Sequence, residues 1–418
     1  MAELSELDRV EYLIVGGGLA AVYAAAAIRG RDKAGKVVII GDEPHLPYDR
    51  VPLSKGYLMD RVKREALFPK KEQFLQGQGI TVIKGRTAVS LDIARRSISL
   101  DDGSETSFGK LLLATGGRPR RLPIPGSELR GIYYFRTIDD CEAIKQEIRS
   151  AKRAVVVGGG FIGCELVAAF TAKGVETTII EAVSSILSLA FDPTTAKWVE
   201  SYFVEKGVKV VTCSTAVEFL GDDGRVTAVK TKDGTAFPAD LVVVGIGIMP
   251  NTDFAEKAGL KVDRGIVVNE YLETDSPGIF AAGDVAKFFH PVFQSHLRVE
   301  HYDVAVLHGR VAGANMAGDR VGFTEMPHFF SYMFDLTINA YGDMSRREVE
   351  LRRGEVGRNG FMQFFFNGGR LTAFLSANRP PGEIKAAREI LAAGASYERL
   401  KSISDLSRPL EEFVGQKV

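Results

Sequence analysis

Two stretches of this 418-residue chain carry glycines at a spacing suited to holding phosphates. Residues 13–28 read LIVGGGLAAVYAAAAI, and residues 155–170 read VVVGGGFIGCELVAAF. In each, a β-branched apolar run leads into Gly-x-Gly-x-x-small, and a helix-forming segment follows. The first glycine of such a turn permits the tight bend, and the second lets the backbone approach a pyrophosphate. The third position must be small so that helix and strand pack closely. The helix N-terminus then offers N–H groups and the positive end of its dipole to the phosphates. Gly16, Gly18 and Ala21 take these places in the first turn, and Gly158, Gly160 and Gly163 in the second. Phe161 and Ile162, between the last two glycines, join the second set, as does Gly247 at the end of LVVVGIG. One such turn is weak evidence, but two, each between a strand and a helix, are strong.

An acid after the second strand of such a unit takes the ribose hydroxyls. Glu181 directly follows TTII. Its carboxylate repels a 2′-phosphate, and EAVSSILSLAF offers no Arg or Lys to attract one, so NADH is expected over NADPH. In the first unit Gly41 holds the equivalent place, and Asp42 and Glu43 follow it. One of these two is expected on the ribose, with the register open. Two dinucleotide sites in one chain suggest a donor and a relay. NADH gives up a hydride, and a flavin passes electrons on singly or in pairs, so FAD and NAD are the expected cofactors.

Six segments, EYLIVGGGLAA, PYDRVPLSKGYL, LLLATGGRPRRLP, VVVGGGFIGCELVA, DLVVVGIGIMPN and GIFAAGDVA, carry a resemblance in order and spacing. The chain resembles the FAD-dependent pyridine nucleotide-disulfide-oxidoreductase-like flavoproteins. Within them it is most similar to the branch of ferredoxin, putidaredoxin and rubredoxin reductases, monodehydroascorbate reductase and apoptosis-inducing factor. The resemblance covers residues 10–345 closely and the C-terminus loosely. It implies that Thr115, Gly116 and Asp284 line the FAD, with Asp284 on the ribitol chain. It implies that Arg50 and Lys55 run along the isoalloxazine, and that Lys55 pairs with Glu165. A buried Lys needs such a partner, and an ammonium there stabilises negative charge on the flavin.

The segment LRVEHYDVA resembles the matching stretch of monodehydroascorbate reductase and apoptosis-inducing factor, which makes Arg298, Glu300 and His301 candidates for the flavin and nicotinamide face. PHFFSYMFDL departs from the family's WSDQ-type strand, and its aligned aromatic is Phe330, which can stack but offers no polar hydrogen. The resemblance thus nominates Lys55, Glu165, His301 and Phe330 as catalytic. It implies transfer of hydride from NADH to FAD and onward to a small redox protein such as a ferredoxin or rubredoxin. A small oxidant (a quinone, the monodehydroascorbate radical, a ferric chelate or O2) or an NADH-sensing binding role are the alternatives. An acidic acceptor would need a basic patch, for which Arg118, Arg120, Arg121, Arg346, Arg347, Arg352 and Arg353 are candidates.

The elements that must position these residues follow an α/β plan. Each glycine turn opens a Rossmann-like unit, and each unit ends in a buried strand, LLLATGG or LVVVGIG. The layout is duplicated without being repeated in sequence. From residue 324 the texture becomes aromatic and β-like, as in FMQFFF and RLTAFLSA, and a helix GEIKAAREILAAG follows. The expected fold is glutathione-reductase-like. Residues 1–117 and 248–323 form a discontinuous FAD-binding domain, 118–247 an NAD-binding domain, and 324–418 a C-terminal α+β domain.

Lys+Arg and Asp+Glu both number 53, so the balance argues against nucleic acid or an anionic membrane as partner. No apolar run approaches the ~20 residues that span a bilayer, and MAELSELDRVEY lacks the apolar core of a signal peptide. A cytoplasmic monomer or homodimer is expected. Cys141, Cys164 and Cys213 are scattered and read as small buried apolar residues, with Cys164 packing helix against sheet. No cysteine pair lies near PLSKGYL and none replaces Ser54, which disfavours the disulfide-reductase and single-cysteine branches. No metal-ligand cluster stands out.

Overall fold

The computed structural model describes residues 9–345, 347–357 and 359–415. The chain falls into two compact units. The first takes the described residues up to Asp49, Lys63–Arg118 and Met249–Pro327; the second takes Arg50–Val62, Pro119–Ile248 and the described residues from His328 on. The elements that bear on the site are β1 (Arg9–Val15), α1 (Leu19–Arg31), β2 (Val37–Gly41), β3 (Arg153–Val157), α2 (Phe161–Ala172), β4 (Glu176–Ile180), α3 (Tyr302–Met316) and β5 (His328–Met333).

In the first unit a parallel sheet runs Ile80–Lys84, β2, β1, Glu105–Leu113, Ile279–Ala281. Leu13 is in register with Val38 on one side and Leu111 on the other. Helices or loops cover both faces of a parallel sheet, so its strands read as continuous apolar runs rather than alternating ones. Leu13, Ile14, Val38, Ile39, Leu111 and Leu112 are accordingly all fully buried. α1 follows the first glycine turn and packs on α3. Gly309 and Gly313, one turn apart on α3, lie against the α1 backbone, where a Cβ would overlap Ala20 O and Ala24 O. The two small residues therefore set how closely these helices approach.

In the second unit a parallel sheet runs Lys209–Val211, β4, β3, Leu241–Val244, Ile132–Tyr134. The C-terminal residues add an antiparallel sheet in the order β5, Leu336–Gly342, Arg370–Ala377, Phe361–Asn367, Val349–Arg353. The helix Pro381–Ala392 buries Ala386, Ala387, Ile390 and Leu391. FMQFFF is buried along both faces of its strand, which explains its departure from simple alternation. Trp198, in the helix Pro193–Glu205, stacks on Tyr202 and meets Phe361 edge-on, so it packs that helix.

The segment Arg50–Val62 groups with the second unit although the chain order leaves it inside the first. Tyr57 hydrogen-bonds Glu142, and Asp60 takes Lys145 at 2.9 Å and Lys173 at 2.7 Å. Hydrogen bonds from Lys173 and Lys145 hold the Asp60 carboxyl down at about 2. Cys141 and Cys164 are buried as expected, but Cys213 is exposed, at a left-handed φ of 52°.

Candidate active site

The first glycine turn is built for close approach. Gly16 has φ +130°, and a Cβ there would overlap Ala114 O. Gly18 is the N-cap of α1 with no side-chain cap, and a Cβ on it would meet nothing within 4 Å. The helix thus starts without a side-chain cap on its first N–H groups, and Ala21 is buried behind Gly18. Gly41, where an acid would otherwise sit, lies against Gly17, with room for a Cβ only at 3.2 Å from its Cα. Asp42 is exposed, whereas Glu43 is half-buried and accepts from the Tyr48 hydroxyl at 2.6 Å.

Thr115 and Gly116 are anchored by Asn251, a residue the sequence reading did not single out. Asn251 Nδ2 donates to Thr115 O at 2.9 Å, Thr115 Oγ1 donates to Asn251 O at 2.8 Å, and Asn251 N donates to Gly116 O at 3.0 Å. Asn251 closes the segment DLVVVGIGIMPN, one of the six that carry the resemblance. Asp284 lies on the single turn Gly283–Val285. Arg298 donates to Asp284 O at 3.3 Å and to Glu300 at 2.5 Å, and His301 follows as the N-cap of α3. The four candidates Asp284, Arg298, Glu300 and His301 are therefore brought together in this unit. Gly283 N donates to His308 Nδ1 at 3.3 Å, which places the imidazole proton on Nε2. Burial, with a smaller effect from His290, pushes His308 down to about 3.

The second turn repeats the geometry. A Cβ on Gly158 (φ +111°) would overlap Gly245 O, and one on Gly163 would overlap Gly158 O. Gly160 is the uncapped N-cap of α2 and again faces open space. Glu181 reaches the turn itself: Oε2 accepts from Gly159 N at 2.6 Å and Oε1 from Val183 N at 3.0 Å. These amides orient the carboxylate and leave it capacity for further donors. Gly247 has φ +92°, and its carbonyl accepts from Arg120 N at 2.9 Å. Ile162 is exposed, and the Phe161 ring meets Phe191 and Phe329, the latter at 4.8 Å between centroids.

Glu165, one turn into α2, is buried and gathers three donors. Lys55 Nζ and Ser54 Oγ reach Oε2 at 2.7 and 2.5 Å, and Ser331 Oγ reaches Oε1 at 2.6 Å. Lys55 pairs with Glu165, the partner that the resemblance implied; Ser54 and Ser331 as further partners were not foreseen. Phe330 neighbours Ser331 on β5, and alternation turns it to the opposite face. There it lies beside His328 and Tyr332, so the structure does not bring Phe330 to the Lys55–Glu165 pair. Arg50 Nη1 lies 3.4 Å from Arg136 O.

The arginine clusters fare unevenly as a docking patch. Arg353 is buried, and its guanidinium donates to the carbonyls of Ile403, Asp405 and Arg408. Arg352 pairs with Asp192 at 3.1 Å, and Arg118 with Asp253 at 2.9 Å. Arg347 donates to Met344 O and Leu189 O. Arg121 covers the Tyr134 ring. Arg346 lies outside the described residues. In the first unit, Lys70 and Arg310 flank the ring of Tyr23, and neither pairs with a carboxylate among the described residues. Two of the thiols are placed for packing: burial raises Cys141 to about 12 and Cys164 well above its ordinary value. Among the described residues no group of His, Cys, Asp and Glu is placed to hold a metal ion, and no helix is long and apolar enough to cross a membrane.

Two uncapped glycine turns, each facing open space and backed by glycines that exclude a side chain, fit two dinucleotides, and the buried Lys55–Glu165 pair fits a redox site. Comparison with known proteins agrees. Residues 10–309 match the pyridine nucleotide-disulphide oxidoreductase family, and residues 328–414 match the reductase C-terminal domain. The chain belongs to that family, and it is an NAD(P)H-dependent FAD oxidoreductase. It is 36% identical over 381 residues to rhodocoxin reductase of Rhodococcus erythropolis, covering 91% of this chain and 89% of that one. It is 32% identical to putidaredoxin reductase of Pseudomonas putida, with 96% of each chain covered. A solved ferredoxin reductase for the CYP199A2 system of Rhodopseudomonas palustris superposes with a TM-score of 0.91 at 33% identity, covering 98% of this chain and 100% of that one. The covalent putidaredoxin reductase–putidaredoxin complex gives 0.92 at 31% identity, covering 97% and 98%.

Proposed function

We propose that this chain takes hydride from NADH onto FAD and delivers the electrons to a small redox protein of the ferredoxin class. The observation that carries the reading is the buried Lys55–Glu165 pair, set beside a glycine turn whose helix N-terminus is open. The names of the relatives support the acceptor class: rhodocoxin reductase, putidaredoxin reductase, and a reductase solved in covalent complex with its putidaredoxin.

Residues 1–117 and 248–323 hold the FAD in this reading, and 118–247 hold the nicotinamide nucleotide. Gly16, Gly18 and Ala21 cradle the FAD pyrophosphate, Glu43 takes its ribose, and Thr115, Gly116 and Asp284 line the rest. Arg298, Glu300 and His301 lie at its far end. Gly158, Gly160, Phe161, Ile162, Gly163 and Gly247 receive NADH, and Glu181 accepts from its ribose hydroxyls and repels a 2′-phosphate. FAD, when bound, supplies the step from a two-electron donor to a one-electron acceptor. Lys55 contributes an ammonium that Glu165 holds in place, and Arg50 lies on the same segment. An acidic carrier protein meets cations such as Lys70 and Arg310, which pair with no carboxylate among the described residues. A cytoplasmic setting goes with this reading, in keeping with three free thiols of which two are buried.

The test is NADH-dependent cytochrome c reduction by the purified protein. The reading expects the rate to depend on added [2Fe–2S] ferredoxin and to saturate with it. A rate indifferent to ferredoxin, or one driven equally by a quinone, would reject the acceptor assignment.

A further inference from the structure

We propose that Ser331 is a positioning residue for the reaction: through Glu165 it fixes the Lys55 ammonium, so the C-terminal sheet governs how fast electrons enter the flavin. The inference rests on the reading that places Lys55 beside the flavin.

The two oxygens of Glu165 are divided. Oε2 serves Ser54 and Lys55, which sit at the end of one short turn, while Oε1 takes the Ser331 hydroxyl 166 residues further along the chain. A carboxylate is planar, so fixing one oxygen fixes where the other points. Lys55 has a long flexible stem and a compact charge; its head group is located by that second oxygen. Ser331 is itself immobile. It is 1% exposed, its strand pairs with Leu336–Gly342 with Ser331 opposite Ile338, and Phe329 on the same face meets Phe161 at 4.8 Å. β5 therefore grips the start of α2 at two points, one apolar and one polar. Phe161 opens the helix that faces the expected NADH turn, and Glu165 is one turn further in.

Deleting the Ser331 hydroxyl leaves a buried carboxylate oxygen without its donor, which is costly for a charged group. The carboxylate relieves that cost by turning toward other donors, and Lys55 loses its anchor. Threonine keeps the hydroxyl and suits a strand, so it preserves the arrangement.

The test uses the full chain with FAD bound. The first readout is the rate at which an amine-selective acylating reagent labels Lys55 at neutral pH, followed by peptide mass spectrometry. The second is anaerobic bleaching of the flavin by NADH, as a function of NADH concentration. Ser331→Ala is expected to speed Lys55 labelling and to slow the limiting bleaching rate, each by about tenfold, the order of one lost hydrogen bond to a buried charge. The NADH concentration for half-maximal rate should stay nearly constant. Ser331→Thr should restore both. Lys55 labelling unchanged in Ser331→Ala, or a Thr variant that behaves like Ala, would overturn the proposal. Lys55→Met separates the two ideas: bleaching at the parent rate would remove Lys55 from the flavin, while coupling between Ser331 and Lys55, read in the labelling, would stand.

Discussion

Glu181 and Lys55 act through charge, and each gives a sharp expectation. The Glu181 carboxylate is already oriented by Gly159 N and Val183 N, so it meets ribose hydroxyls without reorganising. Glu181→Ala should lower kcat/KM for NADH by about tenfold, the order of one charged hydrogen bond, and leave NADPH use equal or better. Steady-state kinetics with both nucleotides decide this, and an unchanged NADH/NADPH ratio would remove Glu181 from the ribose. Lys55→Met should keep FAD bound yet slow its reduction by about 10- to 100-fold, as expected when a preorganised charge is lost. Single-turnover bleaching measures it. Both residues were legible in the sequence because a motif surrounds them. The partners of Ser331, Asn251 and His308 were not. A serine among FFSYM looks like an ordinary strand residue, and its bond to Glu165 spans 166 positions. Asn251 closes on Thr115 across 136. Such pairings exist only once the chain has folded.

At the scale of elements, the glycines divide into the two kinds that their places in the turn assign, one for approach of a pyrophosphate and one for packing. Gly18 and Gly160 face open space at ordinary φ, so a methyl group there meets no protein atom. Gly163 has no such room, since a Cβ would overlap Gly158 O. Gly18→Ala should therefore leave the apoprotein's melting temperature nearly unchanged and weaken FAD binding, and Gly160→Ala should do the same for NADH. Gly163→Ala should destabilise the fold itself, by about 1–3 kcal/mol as for other overpacked sites. Thermal melts and ligand titrations on the three variants separate these outcomes; equal loss of stability in all three would contradict the division. The two glycine turns, their strands and the final β-rich region were readable because periodicity and glycine spacing are local signals. The faces of β5 were not. Alternation shows that Phe330 and Ser331 point opposite ways, but only the fold shows that Ser331 is the one turned to Glu165.

Across the molecule, the chain order misleads about grouping. Residues 50–62 look like a loop of the first dinucleotide unit, yet Lys55, Tyr57 and Asp60 all find partners in the second. Arg353 likewise looks like surface charge and is instead buried under carbonyls from 403–408. Burial also fixes a pH response. His308 is held neutral in the fold, with its pKa lowered from 6.5 to about 3, while the unfolded chain binds a proton below 6.5. The unfolded state then carries more protons, so stability falls as pH drops from 6.5 toward 3, at up to about 1.4 kcal/mol per pH unit from this group. Asp60 adds its loss only at lower pH, between 3.8 and about 2. Urea midpoints between pH 7 and pH 5 should decline for the parent and flatten in His308→Gln, which cannot take up the proton. An equal decline in both would show that another group governs the window.

Electrons pass from NADH through this chain to a small redox protein. Anaerobic stopped-flow tests it most directly: mix the FAD-loaded protein with NADH, then with a [2Fe–2S] ferredoxin. Flavin absorbance should fall rapidly with NADH and more slowly with NADPH, and return rapidly on adding ferredoxin. Slow bleaching to a persistent long-wavelength band, or reoxidation by O2 or quinone but not by ferredoxin, would contradict it.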